Sequence, residues 1–184
     1  FLFAQLRECA GAGARLLDLG TKGSGLTPWS RTADGRLTLK GAMREILATE
    51  MLEALGVTTS RTFSVIETGE DLVRGDEPSP TRSAVLVRLG HGHIRIGSFQ
   101  RLAYLGGEEN LARLVNYSLR HLLEKAPGEN PALTLLETVV ERAADLAASY
   151  MVAGFVHGVL NSDNIAITAE SFDYGPWRFT PSWT

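Results

Sequence analysis

The chain has 184 residues, 44% of them hydrophobic and 21% charged, with a formal net charge of −3; these values fit a globular protein able to bury a core and exclude a disordered tail. The mildly acidic balance excludes a general attraction for nucleic acid, so any bound anion must be held by a few placed cations. The single cysteine, Cys9, excludes an intrachain disulfide and lacks the Cys/His spacing of a zinc site, leaving a reducing compartment or no redox role as the simplest reading.

"FLFAQLRE" (1–8) and "ARLLDLG" (14–20) read as short strands around a Gly/Ala turn, and "TKGSGLTPWSRTADG" (21–35) reads as a loop. In "LKGAMREILATEMLEALGV" (39–57), Met43, Ile46, Leu47, Met51, Leu52 and Leu55 recur at helical spacing and Gly56 is a stop, predicting a helix near 40–55. "TSRTFSVIET" (59–68) and "SAVLVRLG" (83–90) are β-branched strands separated by the charged loop "RGDEPSPTR" (74–82), and "GHGH" is expected to join the second of them to "IRIGSF" (94–99) as a hairpin.

After Leu105 the pattern becomes helical. "EENLARLVNYSLRHLLEK" (108–125) predicts an amphipathic helix and "APGENPA" (126–132) a linker. "LTLLETVVERAADLAASYMVAGFVHG" (133–158) predicts a long helix with an apolar stripe through Leu136, Val139, Val140, Ala143, Leu146, Ala147, Tyr150 and Met151. Its most apolar part is interrupted by Asp145 and His157, so it reads as a buried helix and not a membrane span; no signal peptide is visible. The expected organisation is α+β with two lobes, a sheet lobe carrying one helix over 1–104 and a partial helical lobe over 105–184, meeting near residues 102 to 106. The chain reads as a fragment of something longer.

"HGVLNSDN" (157–164) and "FDYG" (172–175) have the order and spacing of the kinase catalytic loop H-R-D-x-x-x-x-N and metal loop D-F-G, except that Val159 stands where the base Asp belongs. A small hairpin pairing Ile165–Thr168 with Ser171–Phe172 would bring Asn164 and Asp173 to one end, and an amide oxygen with a carboxylate suits Mg²⁺. Kinase-like folds also need a strand lysine and a helix glutamate, and Lys22 and Glu45 stand in that order. Taken singly, Lys22 in its Gly-rich loop carries little weight and could be a solvated surface residue, and Glu45 is by default a helix-surface charge. Arg88 and Arg95 flank "LGHGH" and could form an anion pocket, or be two exposed strand arginines. His91 and His93 lack a third ligand, so no metal is expected there.

Together, "KGSGLTPWSRTADGR", "MREILATEML", "HIRIGSF", "FVHGVLNSDNIAI" and "DYGPWRF" resemble the selenoprotein O family across nearly the whole chain. The resemblance implies a protein-kinase-like fold that binds ATP in reversed orientation and, with Mg²⁺ or Mn²⁺, transfers AMP to Ser, Thr or Tyr hydroxyls of protein substrates. It implies that Lys22 contacts phosphate with Glu45 as its partner, that Asp34 and Gly35 contact nucleotide, and that Arg88 and Arg95 receive the terminal phosphate. Asn164 and Asp173 match the metal ligands, and Asp163 matches the proton acceptor that takes over from the kinase base. The family's "GDGR" loop is expected upstream of residue 1, more helical lobe is expected after "DYGPW", and no selenocysteine position is present. The rival readings are a conventional γ-phosphate kinase and a silent nucleotide-binding pseudokinase. A bacterial cytoplasm is the expected compartment, or a mitochondrion if a presequence lies upstream; no nucleic acid or membrane partner is expected, and the oligomeric state is open.

Overall fold

The computed structural model describes residues 1–7, 16–28, 30 and 32–181; Cys9 and the Gly/Ala turn expected after the first strand lie outside the described residues. The elements are β1 (Leu2–Arg7), β2 (Leu16–Lys22), β3 (Leu37–Thr38), α1 (Leu39–Ala54), β4 (Arg61–Leu72), β5 (Thr81–Gly90), α2 (Ile96–Tyr104), α3 (Glu108–Tyr117), α4 (Pro131–Val152), β6 (Phe155–Val156) and β7 (Arg178–Phe179), with a π-turn over Ser118–Leu122. The fold is α+β. One compact unit comprises Phe1–Met51 and Ser60–Gly90, and the other Leu52–Thr59 and His91–Thr184.

In the first unit β5 is the common partner of an antiparallel five-stranded sheet, pairing with β2 through Leu86–Gly90, with β3 through Ser83 and Ala84, and with β4 along most of its length. Because alternate residues of a strand share a face, Ala84, Leu86 and Arg88 all project to one side of β5, and all are buried. The helix α1 starts where Thr38 Oγ1 accepts the Gly41 N–H at 3.0 Å, an N-cap. It stops where Gly56 takes φ +78 and the Val57 N–H returns to the Leu52 carbonyl at 2.9 Å.

The helical period of α1 holds, but its buried face differs from the apolar stripe. Ala42, Glu45, Ala48, Thr49 and Leu52 are buried, whereas Met43, Leu47, Met51 and Leu55 are 46 to 53% exposed. Small side chains on the inward face allow close approach of the helix backbone, and that approach lets Glu45 reach the strands.

In the second unit Val115, Leu119, Leu123, Leu135 and Ile167 form the core, with Ile94, Ile96 and Phe99 packed against it. The hairpin expected through "IRIGSF" does not form: Arg95 is extended and makes one isolated bridge to Ala166, and α2 begins immediately after it. The alternation of Ile94 and Ile96 mimics a strand, but Ile96 and Phe99 are also three apart. Helical spacing prevails because it places both on the core while Ser98 Oγ accepts the Arg95 N–H at 3.4 Å. Likewise α4 starts at Pro131 behind an Asn130 cap and ends before Gly154 at φ +65, so Phe155–His157 leave the helix expected over 133–158. Of its expected stripe Leu146 and Tyr150 are buried with Leu135 and Thr138, but Leu136, Val140 and Met151 are exposed. The small hairpin does form: Ile165 bridges Ser171, the Ala166 N–H meets the Glu170 carbonyl at 2.9 Å, and the Phe172 N–H meets the Asn164 carbonyl at 2.7 Å.

Leu119 is fully buried at the centre of the second unit's core. Leu119→Ala is expected to destabilise that unit by about 2–5 kcal/mol through lost burial and a residual cavity, read as a fall in its urea or thermal unfolding midpoint with the midpoint of the sheet unit less affected.

Candidate functional site

In the sheet unit, the β2–β5 register sets Gly20 opposite Arg88 and Lys22 opposite Leu86. Lys22 and Arg88 are therefore diagonal neighbours on one face. Onto that face α1 brings Glu45, which is only 1% exposed. Its Oε1 pairs with Lys22 Nζ, and its Oε2 lies 3.5 Å from Arg88 Nη1. A buried carboxylate without counter-charge would be costly, and two cations on its two oxygens offset that cost. The three charges sum to +1, a local bias toward anions. Lys22 and Arg88 are thus neither a solvated loop residue nor an exposed strand arginine: the Lys22 side chain is 25% exposed and that of Arg88 6%.

Asp34 and Gly35 lie in the loop between β2 and β3. Gly35 takes φ +67, and a side chain there would begin 2.2 Å from the Gly25 carbonyl oxygen, so only glycine fits. The Gly25 N–H donates to the Gly35 carbonyl at 3.0 Å and closes the loop. The Asp34 carboxylate accepts the Arg36 N–H at 2.9 Å and two Arg74 N–H groups at 2.9 and 3.2 Å. The backbone N–H of Arg36 first, and Arg74 after it, hold Asp34 below the usual carboxylate range.

In the helical unit, the buried His157 imidazole organises the loop that follows β6. Its Nε2 lies 2.8 Å from the Asp173 carbonyl and 2.7 Å from Ser171 Oγ, and its Nδ1 accepts the Val159 N–H at 3.3 Å. A carbonyl can only accept, so Nε2 carries the proton and the ring is neutral. Burial pushes its pKa down, outweighing the opposing pull of Asp173. Asn164 Nδ2 donates to the Val159 carbonyl, which orients the amide and leaves Oδ1 as its acceptor. Val159 therefore contributes its backbone N–H and C=O, and the residue is 43% exposed.

The Phe172 N–H on the Asn164 carbonyl sets Asp173 next in chain to a residue paired with Asn164. Among the described residues there is no group of three or more His, Cys, Asp or Glu side chains placed to hold a metal. An amide oxygen and a carboxylate nonetheless fit Mg²⁺, a hard cation that takes one or two such protein ligands and completes its shell with water and substrate phosphate. Asp163 sits one residue before Asn164, with its N–H on Asn161 Oδ1 at 2.9 Å and its carbonyl accepting from Arg95 Nη1 at 3.2 Å. The Arg95 guanidinium carbon also lies 4.8 Å from the centre of the Phe172 ring, a cation–π contact.

Three contributors were not singled out from the sequence. Ser171 shares the Asp173 carbonyl with His157. Buried Glu170 accepts the His91 N–H at 2.7 Å and meets the His91 ring, so His91 is paired with a carboxylate. Tyr174 OH bonds Thr59 Oγ1 at 2.6 Å, and burial raises the pKa of Tyr174 and pushes that of Tyr150 up to about 12, keeping both phenols neutral. The glutamate and the serine immediately precede the metal-loop motif without belonging to it, and no local spacing marks them.

A family model described as "Protein adenylyltransferase SelO" matches residues 1–184. Among curated proteins, the chain is 50% identical over 187 residues to the protein nucleotidyltransferase YdiU of Synechocystis sp., covering 100% of this chain and 39% of that protein. It is 52% identical over 189 residues to the protein of the same name from Gloeobacter violaceus, covering 100% of this chain and 38% of the relative. For the protein of that name from Methylorubrum populi the identity is 42% over 179 residues, covering 97% and 35%. The chain therefore spans less than two-fifths of the length of these relatives.

Because burial disfavours the His157 imidazolium, the unfolded chain takes up this proton first as pH falls, and stability declines with it. The loss is expected to begin near the ordinary histidine value of 6.5 and to grow toward the lower folded value. In unfolding midpoints measured from about pH 8 to pH 5, His157→Gln is expected to flatten part of the acid-side decline; an unchanged slope would show that this ring does not titrate on unfolding.

Proposed function

Because the chain belongs to the SelO family, we propose that the intact protein is a protein adenylyltransferase with a protein-kinase-like fold, moving AMP from ATP to Ser, Thr or Tyr hydroxyls of other proteins. The observation that carries this reading is the 157–173 loop. It keeps an oriented amide and a carboxylate, uses residue 159 only through its backbone, and offers Asp163 as the loop's other carboxylate. Relatives named protein nucleotidyltransferase support the same chemistry, and their bacterial origin favours a cytoplasmic setting.

In this reading ATP is bound in reversed orientation. Arg88 and Arg95 receive the terminal phosphate, because guanidinium forks match phosphate oxygens. Lys22, oriented by Glu45, binds a phosphate closer to the reacting centre, and Asp34 with Gly35 contacts the nucleotide. Asn164 Oδ1 and the Asp173 carboxylate hold Mg²⁺ or Mn²⁺, which supplies neutralisation of phosphate charge when bound. Asp163 accepts the proton of the incoming hydroxyl as its oxygen bonds to the α-phosphorus and the bond to pyrophosphate breaks. Electrostatic stabilisation by placed cations carries most of the acceleration, and no covalent enzyme intermediate is required.

The rival with a specific observation in its favour is γ-phosphate transfer, since the loop spacing is that of a kinase. Full-length protein incubated with ATP labelled at the α or the γ position separates the two. Label entering protein only from the α position is the expected result; label only from γ makes the protein a kinase, and neither makes it a silent nucleotide binder. Asp173→Ala is expected to lower AMP transfer by at least about 10²-fold, the scale for removing one preorganised charge-stabilising group. Near-normal turnover of that variant would take Asp173 out of the metal site.

A further inference from the structure

Gly97 is the second residue of α2 and does not adopt the left-handed backbone conformation that favours glycine. Inside a helix, glycine is less stable than alanine. Its backbone thus gives no reason for glycine here, and the reason must lie in what surrounds it.

A methyl group at residue 97 would begin 2.3 Å from Asp163 Oδ1, 3.3 Å from Asp163 Cγ and 3.3 Å from the Ser162 carbonyl oxygen. Real Cβ atoms do not approach an oxygen as closely as the first of these contacts, so something would have to move. The Asp163 backbone is held by its N–H on Asn161 Oδ1 and by Arg95 Nη1 on its carbonyl. On either side, the Gly97 N–H binds the Ser162 carbonyl at 2.8 Å and the Ile96 N–H binds the Ile165 carbonyl at 3.1 Å. With the backbone fastened at these points, the carboxylate is the part that can yield, by rotating about its side-chain bonds.

We propose that Gly97 is a positioning residue for the adenylyl transfer: the bare backbone at the start of α2 is the seat on which the Asp163 carboxylate rests in its working rotamer. This rests on Asp163 being the proton acceptor. Any side chain at residue 97 leaves the loop folded and turns the carboxylate away from the attacking hydroxyl. The effect belongs to the chemical step, because Gly97 contributes no side chain to nucleotide binding.

The test is a double-mutant cycle in the full-length protein with Gly97→Ala, Asp163→Ala and the combination, scored by AMP transfer from α-labelled ATP, KM for ATP and Tm. Gly97→Ala is expected to lower kcat about 10-fold or more, within the ~10²–10⁴ a positioned proton acceptor supplies, with KM for ATP nearly unchanged. The double variant is expected to be no slower than Asp163→Ala, because the glycine acts through that carboxylate. It is also expected to melt no lower than Asp163→Ala, since removing the carboxylate removes the clash. That comparison stands even if Gly97→Ala alone folds poorly. Wild-type turnover in Gly97→Ala beside an impaired Asp163→Ala overturns the role of Gly97, as do losses that multiply in the double variant or a double variant that melts lower. Normal turnover in Asp163→Ala instead overturns Asp163 as proton acceptor, and the inference about Gly97 with it.

Discussion

The buried imidazole of His157 ties the two ends of the 159–173 loop together. Its Nε2–H reaches the Asp173 carbonyl and its Nδ1 takes the Val159 N–H, so residues 159 and 173 hang from one ring. Ser171 Oγ adds a second donor to the Asp173 carbonyl at 3.0 Å, and the Phe172 N–H closes on the Asn164 carbonyl. The ring can play this part only while neutral, since a protonated Nδ1 could not accept the Val159 N–H. Low pKa and loop geometry are therefore one constraint: burial keeps the proton off Nδ1, and the unprotonated nitrogen fixes the loop.

That constraint accounts for valine where a kinase base would stand. Residue 159 is used through its N–H and C=O, which hold His157 and Asn164. An apolar side chain does this as well as an acid, and its exposure carries no penalty large enough to matter. Under the proposed function the acid role falls to another residue of the same loop, Asp163, which lies between the residue that Gly97 binds and the residue that orients its amide on Val159.

The sheet unit solves a different problem, how to keep a carboxylate in a dry environment. Glu45 is buried with Lys22 on one oxygen and Arg88 near the other. Removing either cation would leave a poorly compensated buried charge, the situation in which breaking an ion pair costs several times what an exposed pair is worth. The arrangement also sets the direction of the Lys22 ammonium, because its partner rides on a helix whose inward face is narrow. Ala42 and Ala48 make that close approach possible. The larger apolar residues of α1, Met43, Leu47, Met51 and Leu55, face outward.

Much of this could be read before any coordinates. The helical period of α1, the strands expected over 59–68 and 83–90 and found over 61–72 and 81–90, and the hairpin after Asn164 are all local patterns, because dihedral preference, capping and motif spacing act over a few residues. Short apolar runs were misread where helix and strand periods coincide, as in "IRIGSF", and the choice between them fell to the Val115–Leu119–Leu135 core that Ile96 and Phe99 must meet. Which face of α1 or α4 turns inward was likewise invisible, since an apolar stripe says that a helix is amphipathic and not what covers it. The burial of Arg88, the pairing of Glu170 with His91 and the press of Asp163 against Gly97 join residues about 40 to 80 positions apart. Such contacts depend on where whole elements come to rest, and only the packed chain holds that information.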